Sequence, residues 1–329
     1  MSNNGLIDCD VWPQPVVQII TSSTMFSWMP GATHASFLVI GGGGGGGSGK
    51  FDTSVNAANG GSGGSGGSLR YMRRMPYEFI NALRMRNEFT VTIGAGGTGG
   101  AGVSISGNNG NAGVAGGSSS IQFRTQWASG VYGNLFYTSG LTVNGGGKGT
   151  GGTSSFANAD ASPNGAGQIN GITGGQGSAT ATVSMPVHST NSFGSNPFHW
   201  IAVNGGQGAP GKGSQSYIPF GISSVFSSTG GNTGQLNNVD GISSSVFAYY
   251  IEQQVKNFKE APVIEELAWI TTTPGGSAGA GGTTGVGGNG GNGYWGSGGG
   301  GSGGTGALAS GNGGSGGNGV VVIWWEKLK

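Results

Sequence analysis

Seven consecutive glycines, Gly41 to Gly47, directly follow Phe37-Leu38-Val39-Ile40. The apolar run has the composition of a buried strand. The glycines have no side chains from which to build a core. On its own such a run reads as a flexible linker, but here the unit recurs. Phe89-Thr90-Val91-Thr92-Ile93 leads into Gly94-Ala95-Gly96-Gly97, Leu141-Thr142-Val143-Asn144 into Gly145-Gly146-Gly147, and Ile201-Ala202-Val203-Asn204 into Gly205-Gly206-Gln207-Gly208. The glycine starts at 41, 94, 145 and 205 are 53, 51 and 60 residues apart. The chain closes with the inverse, Gly313 to Gly319 leading into Val320-Val321-Val322-Ile323-Trp324-Trp325. Linkers keep no such schedule, whereas stacked repeat units do.

Composition narrows the choice. Glycine accounts for 78 of 329 residues, but net charge is only +1, charged residues are 8% and there are eight tryptophans. Disordered chains carry the opposite signature of high net charge and few aromatics. Collagen needs far more than 11 prolines and an unbroken triplet. The single Cys9 rules out an internal disulfide framework and cannot by itself hold a metal cluster. No 18-residue apolar run is present, so no membrane insertion is expected. The polar, acidic start MSNNGLIDCD does not read as a signal peptide. Near-neutral charge supplies no electrostatic footprint for nucleic acid.

Glycine loses the most backbone entropy on ordering, so an ordered glycine-rich chain must gain something in return. Polyproline-II-like helices packed side by side supply it. They have three residues per turn and no internal hydrogen bonds, and without Cβ atoms neighbours approach closely enough to bond one another. Such packing demands a triplet phase, which the sequence contains. Gly107, Gly110, Gly113 and Gly116 share one phase, as do Gly279, Gly282, Gly285, Gly288 and Gly291, and Gly60 to Ser68 repeats Gly-Gly-Ser three times. The expected fold is mainly β and irregular: short strands framing packed polyglycine II helices, with one or two short α-helical insertions.

Along the chain, residues 1–21 read as an N-terminal extension or docking strand, with Val16 to Ile20 extended. Residues 22–329 read as one glycine-rich domain with a loop and helix insertion around 214–274. Between 68 and 88 sit five of the six arginines, Arg70, Arg73, Arg74, Arg84 and Arg86. They form either a basic patch or the solvated face of a connecting segment, and Pro76 is placed to open a short helix. Ser245 is placed to cap a helix from about Val246 to Lys259, with Phe247, Tyr250, Ile251 and Phe258 at helical spacing. That helix is either a packing cover or a presented surface. Trp127 and Tyr132, in the loop at 118–140, and Tyr217, Phe220 and Phe226, in the loop at 214–240, return large side chains to a scaffold that lacks them. Aromatic residues of this kind anchor interfaces.

Catalytic readings fail one by one. Gly44 to Phe51 imitates a phosphate-cradling loop but has Phe51 where a hydroxyl must reach magnesium. His34, His188 and His199 lack metal-ligand spacing with one another or with Cys9. The adjacent Glu265-Glu266 is not a pair for glycan cleavage. The expectation is a protein that is not an enzyme and has no cofactor or metal.

Trp28-Met29-Pro30-Gly31 followed by an apolar strand and a glycine run resembles the opening of the glycine-rich domain of bacteriophage tail fibres and adhesins. Thr90-Val91-Thr92-Ile93-Gly94-Ala95-Gly96-Gly97 resembles its second junction, and Gly316 to Ile323 its closing strand. The likeness covers about residues 22–325. It implies a β-framework holding a layer of polyglycine II helices, with variable loops at one end that touch a host receptor. The partners it implies are a bacterial surface receptor, either an outer-membrane protein or a polysaccharide, and other virion tail or fibre proteins; it allows a homotrimer. The implied location is the virion, after synthesis in the host cytoplasm. Two other readings stay open: a structural virion subunit that recognises no host, and an ice-binding protein that uses a flat glycine face.

Overall fold

A computed structural model describes residues 12, 14–53, 58, 60–78, 85–125, 141–154, 240–241, 243–263 and 285–328. Among these residues eight strands form two antiparallel sheets. They are β1 (Val16–Ile20), β2 (Thr24–Ser27), β3 (His34–Ile40), β4 (Leu69–Pro76), β5 (Met85–Thr92), β6 (Ser119–Thr125), β7 (Leu141–Val143) and β8 (Val320–Glu326). One sheet has the order β1-β8-β3-β4 and the other β2-β5-β6-β7. The closing strand therefore lies inside a sheet: β8 pairs Val320 with Ile40 of β3 on one side and Val321 with Ile20 of β1 on the other.

The unbroken apolar run of β8 follows from burial of both its faces. Val321, Ile323 and Trp325 enter the core between the sheets, with Phe37 and Val39 of β3, Phe89 and Val91 of β5, and Ile121 of β6. There the rings of Phe37 and Trp28 meet Phe89 and Trp325 edge-on, at centroid distances of 5.9 and 5.1 Å. Val320, Val322 and Trp324 face the other way, into a second core with Leu38, Leu69 and Tyr71. That core is covered by α1 (Ala248–Lys256), which inserts Ile251 and Val255.

The insertion helix departs from its expected bounds. Ser245 does not cap it; Ser244–Phe247 is a 3-10 turn, and the α-helix starts at Ala248. The cause is Ser244, whose N–H donates to the Asn292 carbonyl at 2.8 Å and so keeps the chain extended until the turn. Tyr250, expected on the buried face, is 65% exposed; Val255 takes its place four residues after Ile251.

The glycine segments extend from the strand ends. Chain leaves the sandwich after β3, β5 and β7, and returns into β4, β6 and β8. Segment 41–48 lies at the centre of this array, and its hydrogen bonds rotate with every residue. Gly41, Gly44 and Gly47 donate to the carbonyls of Ser68, Ser65 and Ser62; Gly42, Gly45 and Ser48 to Gly117, Val114 and Asn111; Gly43 and Gly46 to Gly317 and Gly314. Its carbonyls accept in the same rotation. Gly42, Gly45 and Ser48 take the N–H groups of Gly146, Gly149 and Gly152; Gly43 and Gly46 those of Gly97 and Gly100; Gly44 and Gly47 those of Gly299 and Ser302.

The central segment thus donates to three antiparallel neighbours and accepts from three parallel ones. A change of partner at each residue, repeating every third, is what three residues per turn produce. No backbone group of Gly42 to Gly47 is left without a partner, which satisfies the rule for buried peptide groups. The triplet serines complete the array. The Ser62 hydroxyl accepts the Thr150 N–H at 2.7 Å, the Ser65 hydroxyl that of Gly147, and the Ser48 hydroxyl that of Asn111 at 2.7 Å.

Candidate functional site

The arginine segment is structural over the part that is described. Arg70, Arg73 and Arg74 lie on β4, not on a connecting segment. Opposite them the register of β3 slips between Ala35 and Phe37. Arg74 takes a left-handed φ of 50° there, and its N–H donates to the Ser36 hydroxyl at 2.8 Å. The Arg74 guanidinium then grips two carboxylates: Nε meets Glu326 Oε2 at 3.1 Å and Nη2 meets Glu260 Oε2 at 2.6 Å. Its hydrogen bond to Glu326 raises its pKa above the ordinary value. Arg73 Nε donates to the Ala261 carbonyl at 3.1 Å, Tyr71 Oη to the Pro262 carbonyl at 2.7 Å, and the Ala261 N–H to Glu326 Oε1 at 3.1 Å. These contacts clamp the chain after α1 onto the sheet. Glu260 and Glu326 spend the charge of Arg73 and Arg74, so the segment is a weaker basic patch than its composition suggests. Tyr77 and Glu78 turn helical after Pro76, Arg84 lies outside the described residues, and Arg86 belongs to β5.

At the far end of the glycine array three turns meet. Residues 50–53 leave the central segment, 103–107 join two outer segments, and 305–309 join two more. The Thr305 N–H donates to the Lys50 carbonyl at 2.9 Å and the Asp52 N–H to the Thr305 carbonyl at 3.1 Å. The Gly107 N–H donates to the Phe51 carbonyl at 2.9 Å, and the Thr53 N–H to the Ser106 hydroxyl at 2.9 Å. Gly107 turns this corner at φ +90°, where no side chain fits without strain. Lys50 and Asp52 form a buried ion pair at 3.1 Å, and Lys50 Nζ also donates to the Gly107 carbonyl. The lysine of the phosphate-loop imitation is therefore turned inward. From this rigid end Ile105 and Leu308 project, 66% and 59% exposed.

The five aromatic anchors, Trp127, Tyr132, Tyr217, Phe220 and Phe226, lie outside the described residues, as does the fourth strand-glycine junction. β6 ends at Thr125, away from the glycine array. Asp240 lies against the array, where its Oδ1 accepts the Asn289 N–H at 2.7 Å. A strand of β6's length plus a nine-residue glycine segment separates the two ends of the scaffold by roughly 40–50 Å. The sequence reading missed Ile105 and Leu308; the only signal for them was an isolated apolar residue in an otherwise small and polar turn. No group of three His, Cys, Asp or Glu able to hold a metal occurs among the described residues. No described helix is long and apolar enough to cross a membrane.

Fold and composition together define a glycine-rich β-framework protein. The sequence profile of the glycine-rich domain family matches residues 20–326, and the chain belongs to that family. Comparison with curated proteins returned no match.

Proposed function

We propose that this chain is a bacteriophage tail-fibre or adhesin protein that touches the bacterial surface with the turns and loops at the far end of its glycine array. The observation that carries the reading is the contrast at that end. A scaffold almost without side chains, bonded in every direction, holds up Ile105 and Leu308 in the open. Glycine segments cannot discriminate between surfaces, so recognition falls to side chains standing on them, and loops on a rigid support are where binding residues concentrate. Tyr217, Phe220 and Phe226, outside the described residues, are proposed as further anchors.

The test is saturable binding of the purified protein to a broad panel of intact bacteria. The wild type should bind some strains, and the Ile105→Asp, Leu308→Asp double variant should bind at least about tenfold more weakly, since two anchors of a small interface contribute upwards of 1 kcal/mol each. Unchanged Tm in the double variant separates lost contact from lost fold. Binding to no strain would overturn the reading in favour of a structural virion subunit. Binding unaffected by the double variant would move the contact away from this end of the array.

A further inference from the structure

Asparagine followed by glycine is the most labile step in an unfolded chain under mild alkali, because glycine does not hinder attack on the neighbouring side chain. Base removes the proton from the glycine nitrogen, and that nitrogen attacks the asparagine Cγ. Ammonia leaves with the former amide nitrogen, closing a succinimide ring. Water then opens the ring to aspartate or isoaspartate, for a net gain of one mass unit. Besides Asn144-Gly145, five such steps occur in the described array: Asn109-Gly110, Asn289-Gly290, Asn292-Gly293, Asn312-Gly313 and Asn318-Gly319. Asn109, Asn292, Asn312 and Asn318 are exposed, so accessibility alone would mark them for loss.

We propose that the array shields these five steps from deamidation, and that Asn144 is the described asparagine where the modification begins. In each shielded step the attacking nitrogen is already committed. The N–H groups of Gly110, Gly290, Gly293, Gly313 and Gly319 donate to the carbonyls of Gly152, Asn312, Ser315, Gly100 and Gly94, all at 2.8 Å. Four of the asparagine side chains are held as well. Oδ1 of Asn289, Asn292 and Asn312 accepts the N–H of Asn312, Ser315 and Gly102 at 2.8 Å, and that of Asn318 accepts the Gly96 N–H at 2.9 Å. Ring closure must break the glycine bond and rotate the peptide away from its neighbour, which requires the array to open. Asn144-Gly145 differs at its attacking nitrogen. Gly146 donates to Gly42 and Gly147 to the Ser65 hydroxyl, leaving the Gly145 N–H in the outward phase with no array bond among the described residues. Conversion to isoaspartate inserts a methylene into the main chain and destroys the three-residue phase, so the damage does not heal on refolding.

The experiment incubates the whole folded protein and a urea-denatured sample at mildly alkaline pH, quenches in acid, digests with an acid protease and maps the mass gain by site. In urea all six sites should convert at comparable rates. In the folded protein the five array sites should convert at least about tenfold more slowly than in urea, the factor set by how rarely the array opens, and Asn144 should lead them. Equal rates at the five sites in folded and denatured samples would overturn the shield. An Asn144 as slow as the other five would overturn its assignment.

Discussion

One methyl group at the centre of the array is the sharpest test of how it is held. A Cβ on Gly44 would lie 1.9 Å from the Gly147 carbonyl oxygen and 2.6 Å from its carbon, against about 3.4 Å for an ordinary contact. The clash is with backbone, so no rotamer relieves it, and segment 144–152 must retreat by about 1.5 Å, the difference of those two distances. That retreat stretches the bonds from Gly146 to Gly42 and from Gly149 to Gly45, both now 2.8 Å, beyond bonding range. Each buried backbone group left unpaired costs about 1–3 kcal/mol. Gly44→Ala should therefore destabilise by about 3–5 kcal/mol, a large part of the roughly 5–15 kcal/mol that holds a domain together. The matching drop in Tm is about 6–10 °C, readable by scanning fluorimetry. Gly107→Ala is the control: nothing lies within 4 Å of its Cβ, but its φ is +90°, so only backbone strain of about 1–2 kcal/mol applies. Equal, mild effects at the two positions would refute close packing of the central segment.

Deleting residues 320–329 should abolish soluble expression, because β8 is the shared partner of β1 and β3; a folded, monomeric truncation would contradict this. Glu326→Ala should release the clamp on residues 260–263, costing about 1–3 kcal/mol after discounting for the exposed side of Arg74 and Glu260, and limited proteolysis should then cut sooner just after Val263. Tyr71 is held above the ordinary tyrosine value of 10.0, chiefly by burial, and Tyr294 likewise, by burial and then by its hydrogen bond to Glu252. Above pH 10.0 the unfolded chain ionises these tyrosines while the folded one does not. The unfolded state then holds fewer protons and stability falls as pH rises, by up to about 1.4 kcal/mol per pH unit for Tyr71 and less for the more exposed Tyr294. Urea titrations stepped through that range, with tyrosinate absorbance as the second signal, should show the loss; flat stability there would contradict it.

The strand-glycine alternation, the triplet phase and the apolar closing run were all legible in the sequence, because each is a local pattern imposed by what the backbone must do at that point. Val320 to Trp325 could be read as an apolar closing strand, and Gly-Gly-Ser as a threefold repeat, without knowing any partner. The tertiary structure alone decided that Gly41 to Gly47 is the central segment and which six others surround it. A three-residue-per-turn helix makes no bonds within itself, so each of its partners is distant in sequence, as with Gly44 and Gly299. The same limit hid the fate of the arginines. Arg74 meets Glu326 and Glu260 only because the β3 register slips opposite it and the chain after α1 returns to that edge. It also displaced the helix start, since Ser244 is held by Asn292 before any helical preference can act. Local pattern named the elements; the long-range bonds that an extended glycine chain is obliged to make determined how they are assembled.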